Sequence, residues 1–196
     1  MSDFRCENCG AELVPRLPTS RVVECAQCSS TSMLIDDVFR LAGERGVFHR
    51  DDGLITLGDR LRVGSAILET VGHCQFDYGR GAWDEYWCID HNNDGYWLSA
   101  DEGDYAVEQR VVHPDGRFEP GAETVISGKR YKAVEVDRAR CVAFRGELPE
   151  ILELGDEHDY VVFAGDRKRM ATLERWSDGH AWTVGHWYSA WDIKKL

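Results

Sequence analysis

Two stretches of alternating polar and apolar residues decide the fold class, Leu57-Gly58-Asp59-Arg60-Leu61-Arg62-Val63-Gly64 and Val125-Ile126-Ser127-Gly128-Lys129-Arg130-Tyr131. Alternation with a period of two is typical of a strand that is buried on one face. Both stretches also contain Gly-x-Arg followed by an apolar residue. The shared motif indicates that one β unit occurs twice in the chain.

A second pair of similar stretches supports this duplication. Trp83-Asp84-Glu85-Tyr86-Trp87 is similar to Leu173-Glu174-Arg175-Trp176, and a turn with an aromatic strand follows each of them. We therefore predict a first β repeat over residues 55–112 and a second over 124–193, joined by a polar loop. Two such β halves are expected to pack as a sandwich or a partly open barrel.

The N-terminal segment contains two cysteine pairs, Cys6-Glu7-Asn8-Cys9-Gly10 and Cys25-Ala26-Gln27-Cys28. Each pair forms a tight turn whose N–H groups point at sulfur, and four thiolates complete a tetrahedral Zn²⁺ site with no open position. Gly10 supplies the positive φ that the first turn needs, whereas the second turn has Ser29 there. The prediction is a zinc ribbon over residues 1–36 that holds one structural zinc ion.

The segment between the ribbon and the first repeat, residues 37–54, is predicted to be a short helix and a linker. Asp36 and Asp37 are suitable caps for a helix over residues 38–45, in which Val38, Leu41 and Ala42 share one face. The predicted fold class is therefore mostly β, with a zinc ribbon, a short linking helix and a duplicated antiparallel β domain.

Composition and net charge limit the kinds of partner that the protein is expected to bind. The 196 residues are 43% hydrophobic and 30% charged, which is typical of a soluble globular protein, and the formal net charge is −12. An acidic molecule is repelled by nucleic-acid phosphate, and acidic residues also outnumber basic ones within residues 1–45. We therefore expect no nucleic-acid partner.

Targeting and redox features point to the cytoplasm. The chain starts Met1-Ser2-Asp3-Phe4-Arg5, without the apolar stretch of a secretion signal, and no apolar run is long enough to cross a bilayer. Seven cysteines are an odd number, and four of them form metal-type pairs. A reducing cytoplasm fits this usage best.

The ribbon and the aromatic motifs together resemble a known family. A Cys-x-x-Cys ribbon followed by Trp83-Asp84-Glu85-Tyr86, Gly128-Lys129-Arg130-Tyr131 and Glu174-Arg175-Trp176-Ser177-Asp178-Gly179 is similar to the bacterial domain-of-unknown-function 4178 family. The resemblance covers nearly the whole chain, with two copies of the domain behind the ribbon. It implies no reaction. It does imply an accessory role in a bacterial stress or membrane-associated system, with peripheral membrane association only through a partner.

The candidate ligand-binding residues are carboxylates beside tryptophans, namely Glu85, Glu174, Trp83, Trp87, Trp176 and Trp182. If the two repeats are related by pseudo-two-fold symmetry, the two carboxylates face each other and would do acid–base work or hold a cation. The alternative is structural: each carboxylate pairs with the arginine of its repeat, Arg60 or Arg130, or accepts hydrogen bonds from backbone N–H groups. The tryptophans would then fill a shared core.

Three further motifs are weaker. Asp90-His91-Asn92-Asn93-Asp94-Gly95 matches half of a calcium loop, but strand-like flanks favour a hairpin turn. A second metal on His180 and His186, with His158 and Asp178, competes with ordinary surface histidines. We expect Cys141 to be a buried strand residue and not a nucleophile.

Two functions follow from these observations. No nucleophile elbow or phosphate-binding loop is present, so the leading prediction is a non-enzymatic binding or adaptor protein. It would dock a protein partner through its aromatic-rich β domain. The alternative is a binder of a cationic, polyamine-like small molecule, or a hydrolase, that uses Glu85 and Glu174 in a groove between the repeats.

Overall fold

A computed structural model describes residues 4–43, 45–49, 53–177 and 179–196. The described residues are mostly β, as predicted, with one short 3₁₀ helix at Ala190–Asp192. The strands are β1 Val22–Glu24, β2 Thr31–Ile35, β3 Val38–Leu41, β4 Arg60–Val63, β5 Ala66–Asp77, β6 Ala82–Ile89, β7 Gly95–Asp101, β8 Asp104–Val111, β9 Glu123–Ile126, β10 Lys129–Gly146, β11 Glu157–Ala164, β12 Arg169–Arg175, β13 His180–Ser189 and β14 Ile193–Lys195.

The ribbon is a small antiparallel sheet in the order β1-β2-β3. The predicted short helix is wrong, because residues 38–41 form strand β3, which pairs with β2 from Ile35↔Val38 onward. Asp36 and Asp37 have φ of 48° and 60°, the left-handed conformation that a type I′ hairpin turn requires at both central residues. Aspartate tolerates that conformation, so the pair makes a tight hairpin here and caps no helix.

Eight strands close into a barrel. The pairings run β5-β6-β7-β8-β13-β12-β11-β10, and β10 pairs back onto β5. Strand β4 leads into the barrel strands β5–β8, and β9 leads into the barrel strands β10–β13. The chain therefore forms two successive antiparallel meanders, β4–β8 and β9–β13. The predicted sandwich or partly open barrel is therefore a closed barrel, in which no strand edge of the wall stays unpaired.

The motifs that predicted the duplication occupy different positions in the two meanders. Arg60 begins β4, whereas Arg130 lies in β10, and Glu85 lies in β6, whereas Glu174 lies in β12. Counted from the start of each meander, these are different strands. The motif matches therefore do not align the two halves, and a duplicated sequence stays a prediction.

Apolar side chains pack on both faces of the barrel wall. Outside the first meander, one cluster includes Leu61, Leu68, Tyr86 and Leu98, and outside the second a cluster includes Phe163, Leu173 and Trp182. Because strand side chains alternate between the two faces, the residues between these positions point into the barrel. On the outside of each meander, other chain segments cover the barrel wall. Large apolar side chains can therefore point outward while the interior of the barrel is polar.

The ribbon closes one end of the barrel. The buried carboxylate of Glu147, just after β10, accepts hydrogen bonds from Arg16 N at 2.9 Å, Leu17 N at 3.0 Å and the hydroxyl of Ser20. Val22 of β1 packs with Leu148 in the interior cluster. Carboxylate bonds to backbone N–H groups are among the stronger hydrogen bonds in proteins, so they fix the ribbon against the barrel.

Candidate functional site

The four N-terminal cysteines form one compact cluster. The Sγ atoms of Cys6 and Cys28 are 3.7 Å apart, as are those of Cys9 and Cys25, and all four lie within 4.8 Å of one another. A tetrahedral ion with metal–sulfur bonds of about 2.3 Å has edges of about 3.8 Å, so this spacing fits a four-thiolate metal site. A metal ion that is held by all four thiolates would have no free position for substrate.

Both cysteine turns have the same backbone geometry. Gly10 N donates to Cys6 O and Ser29 N donates to Cys25 O, each at 2.8 Å. Gly10 has φ of 75° and Ser29 has φ of 55°, so both residues adopt the left-handed conformation. The structure thus confirms that Ser29 occupies a position better suited to glycine.

Inside the barrel lies a cavity of about 150 Å³ with acidic and aromatic walls. Its lining includes Trp83, Glu85, Trp97, Glu108, Tyr160 and Glu174. A smaller cavity of about 10 Å³ continues toward the ribbon end and is also lined by Glu85 and Glu174. The structure therefore brings the two predicted carboxylates into one interior space.

Neither carboxylate has the predicted arginine partner among the described residues. Glu85 Oε1 accepts from Trp83 Nε1 at 3.0 Å and from Ser99 Oγ at 3.4 Å, while Glu174 Oε1 lies 3.7 Å from His158 Nε2. Arg60 pairs in register with Glu69 on β5, and Arg130 is exposed in β10. The structural-strut alternative is wrong in this respect, because the arginines lie on other strands.

Burial shifts both carboxyl groups toward the protonated form. It raises the pKa of Glu85 from 4.5 to about 7, and the negative charges of Glu108 and Glu150 add to this rise. Burial and the charge of Glu85 raise the pKa of Glu174 well above its usual range. The interior is therefore an acidic chamber whose carboxyls disfavour one another's ionisation.

Two further acids of this chamber were missed by the sequence analysis. Glu108 accepts from Thr172 Oγ1 at 2.9 Å and Thr183 Oγ1 at 2.8 Å, and burial raises its pKa. Burial also raises the pKa of Glu150, which forms an ion pair with Arg110. Glu108 follows the outward-facing Val107 in β8, so alternation along the strand points the Glu108 side chain inward. This alternation was the one weak signal in the sequence for its position.

His158 completes the polar interior. It is 3% exposed, and burial lowers its pKa to about 4, so its ring is neutral near pH 7. Its Nε2 atom has no hydrogen-bond partner among the described residues. From the sequence, His158 was expected to lie with the C-terminal histidines, but it lines the smaller cavity with Glu85 and Glu174. A buried polar atom without a partner is a candidate contact for a bound water or ligand.

The predicted tryptophans separate into inner and outer ones. Trp83 lines the larger cavity and Trp176 the smaller one, and Trp87 packs its ring 5.0 Å from that of Trp97. Trp182 lies outside the barrel, where its Nε1 donates to Pro114 O at 3.0 Å. Trp182 therefore belongs to the packing beneath the loop between the meanders and does not contact the chamber.

Comparison with known proteins gives one match. The sequence profile of the family described as Domain of unknown function (DUF4178) matches residues 56–190, most of the chain and all eight barrel strands. The chain belongs to this family. The match runs through both meanders in one stretch, so two separate copies of the DUF4178 domain stay a prediction. No curated protein and no solved structure matches.

The remaining motifs of this DUF4178 protein carry no further metal site in the described part of the chain. Asp90 Oδ1 accepts from Asn92 N and Asp94 N, so the half calcium loop is the predicted hairpin turn between β6 and β7. His180 and His186 are exposed, and Asp178 lies outside the described residues. Cys141 is a buried residue of β10, as expected.

No helix among the described residues has the length and apolar character that crossing a membrane requires.

Proposed function

We propose that this protein binds a small organic cation, a diamine, in the acidic chamber of the barrel. The single observation that carries the proposal is that Glu85 and Glu174 line one cavity while no arginine pairs with either in the described residues. Arg110 pairs with Glu150, and its charge only partly offsets the burial that raises the pKa of Glu174. Buried carboxyls that outnumber their counter-charges are costly when ionised. A cation that enters the chamber removes this cost, so it is bound while the carboxyls lose protons.

Aromatic side chains of the chamber support a cation over a neutral ligand. Trp83, Trp97 and Tyr160 line the cavity, and the rings of Trp83 and Tyr160 are 5.2 Å apart. Aromatic faces attract an ammonium group, and the attraction is larger when both partners are desolvated. The chamber thus combines the two kinds of group that recognise amines.

The cavity mouth is acidic as well. Asp101 and Glu135 line the same cavity, and burial together with neighbouring carboxylates raises the pKa of Asp101. Arg80 is the nearby cation, 3.8 Å from Glu135 and 2.6 Å from Asp137. Negative charge around an entrance raises the local concentration of cations and their association rate.

The size of the chamber favours a short amine. A cavity of about 150 Å³ takes a ligand of about six non-hydrogen atoms, as engineered cavities of this volume take benzene. 1,4-Diaminobutane has this size, whereas spermidine would extend through the mouth. The short diamine is therefore the first probe, and spermidine is the second.

We infer that the ion of the cysteine cluster is zinc. Four thiolates in a closed tetrahedral arrangement are the usual structural zinc ligands, and the 3.7 Å sulfur separations suit zinc–sulfur bonds. Zinc there would hold the ribbon against the barrel end. The ion thus has a structural role in the proposal, and the chamber has the binding role.

Adaptor function remains a separate proposal. Among the large exposed hydrophobic side chains of the described residues, Trp191 is the one aromatic. Most tryptophans that suggested a docking surface face the barrel interior or its outer packing clusters. The observations therefore favour the small-molecule proposal.

Calorimetric titration with 1,4-diaminobutane tests the binding proposal. We expect saturable binding at pH 8, weaker binding of butylamine, and no binding of neutral butanol. Glu174→Gln should weaken diamine binding by about tenfold to a hundredfold, because it removes one charge-assisted contact. Circular dichroism should show the variant folded.

The matched control is Glu119→Gln, an equal charge change on the exposed loop between the meanders. It should leave the affinity unchanged, since Glu119 lies outside the chamber. A folded wild-type protein that gives no heat and no thermal shift with 1,4-diaminobutane or spermidine would overturn the proposal. Equal loss of affinity in both variants would also contradict it, because that result indicates a general charge effect.

A further inference from the structure

A second concave site lies on the outer surface, away from the acidic chamber. It is a groove of about 460 Å³ between the β11–β12 turn, the β4–β5 hairpin and the C-terminal strand. The groove is lined by Arg62, Arg167, Lys168, Tyr188, Trp191 and Lys194, among others. Its volume lies in the range of small-ligand sites.

In the described residues no cation of this groove forms a salt bridge; hydrogen bonds from Ser189, and to a smaller extent the charge of Lys168, lower the pKa of Asp192. The chain has 35 acidic side chains, and most exposed arginines elsewhere form ion pairs, for example Arg16 with Glu69 and Arg138 with Asp159. The one acid that lines the groove, Asp192, accepts hydrogen bonds from Ser189 N at 3.0 Å and Ser189 Oγ at 2.8 Å. The groove is therefore a local positive region on a protein of net charge −12.

The turn that supplies two of these cations is conformationally strained. Arg167 and Lys168 have φ of 54° and 62°. The turn is closed by a hydrogen bond of 3.1 Å that Arg169 N donates to Asp166 O. Both central residues of such a turn are usually asparagine, aspartate or glycine, because a Cβ atom is unfavourable there. Strained residues of this kind are concentrated at binding sites. The turn thus holds two long cationic side chains where small residues fit better.

An exposed aromatic side chain stands beside the cations. Trp191 is 90% exposed in the short 3₁₀ helix, and Tyr188 lies in the same groove. The Tyr188 ring packs against Gly64, where an added Cβ would lie 3.3 Å from Tyr188 Cε1. Tyr188 is therefore held in place, and Trp191 offers an unused indole face. Exposed indole next to cations is typical of sites that stack a flat ring and bind its attached anion.

We propose that this groove binds a nucleoside phosphate. Arg62, Arg167, Lys168 and Lys194 would bind the phosphate oxygens, and Trp191 would stack on the base. A recess of this volume suits one nucleotide, and the strongly negative remainder of the surface repels an extended polyanion. The site is separate from the diamine chamber, and neither proposal depends on the other.

Titration with ATP, monitored by tryptophan fluorescence at physiological salt, tests this inference. We expect saturable quenching that Trp191→Phe abolishes, with weaker binding of adenosine and of inorganic phosphate alone. Arg167→Asn combined with Lys168→Gly should weaken ATP binding by about tenfold or more. The same double variant should raise Tm by a few degrees, because the turn is relieved of strain.

The matched control makes the same change in a hairpin turn of the ribbon that also has two non-glycine residues with positive φ. Asp36→Asn with Asp37→Gly should also raise Tm but leave ATP binding unchanged, since that turn lies in the ribbon. Wild-type ATP affinity in the Arg167/Lys168 double variant would overturn the inference. So would binding to vesicles of anionic lipid without any response to ATP, because the groove would then serve a membrane surface.

Discussion

Cys25→Ser is expected to lose the metal ion and unfold the ribbon. Cys25 is 1% exposed and belongs to the cluster of four cysteines that would hold the proposed ion, so three thiolates would leave an incomplete site. Apparent binding free energies of structural zinc are roughly 10–16 kcal/mol, and this energy supports folding. Metal content per chain, measured by elemental analysis, should fall from about one ion to nearly none.

Unfolding of the ribbon should also destabilise the barrel. Val22 and Leu148 pack in the interior cluster, and Glu147 accepts its hydrogen bonds from the ribbon segment. Thermal unfolding should therefore start at a lower temperature in Cys25→Ser. The control is Ser29→Gly, which keeps all four thiols and should raise stability by about 0.5–1 kcal/mol through its positive φ. Full metal content and an unchanged Tm in Cys25→Ser would contradict the structural role.

Glu85→Gln is expected to change how stability depends on pH. The pKa of Glu85 is raised from 4.5 to about 7 in the folded state, so the folded state holds its proton more tightly than the unfolded state. The stability that this proton contributes is complete below pH 4.5 and is lost as the pH rises toward about 7. Glutamine removes the effect while it keeps the shape. The variant should therefore gain stability relative to the wild type as the pH rises.

Urea unfolding at several pH values measures this difference. The expected change in the variant's relative stability between pH 4.5 and 8 is about 3 kcal/mol from the Glu85 shift. His158 has a lowered pKa and acts in the opposite direction, but it is present in both proteins and cancels in the comparison. Glu119→Gln should show no such trend. A pH-independent difference for Glu85→Gln would show that this carboxyl ionises freely in the folded protein.

The elements that local rules govern were predictable from the sequence. The spacing of the cysteine pairs predicted the cysteine cluster of the ribbon, and the Asp90–Gly95 motif predicted the hairpin turn between β6 and β7. The helix error arose because Asp36 and Asp37 suit two local structures, a helix cap and a type I′ turn. Pairing of Val38 with Ile35 across the hairpin decides between them, and that contact is tertiary information within the ribbon.

Barrel closure was beyond the sequence because it depends on long-range pairing. Strand β10 bonds to β5, about 70 residues away along the chain, and β8 bonds to β13. This closure brings Glu108 and His158 beside the two carboxylates that the sequence did single out. Trp182 was misplaced for the same reason, since its neighbours are outward-facing residues of the second meander. Inward and outward faces become distinguishable only when the covering segments are known.

The interior carboxyls should lose protons when the chamber takes up a cation, and the number of protons released on binding can be measured. Titration of 1,4-diaminobutane at pH about 6, below the Glu85 pKa of about 7, in buffers of different ionisation enthalpy gives this number. We expect at least about one proton per diamine bound, and fewer in Glu85→Gln. Binding without proton release in the wild type would contradict this expectation.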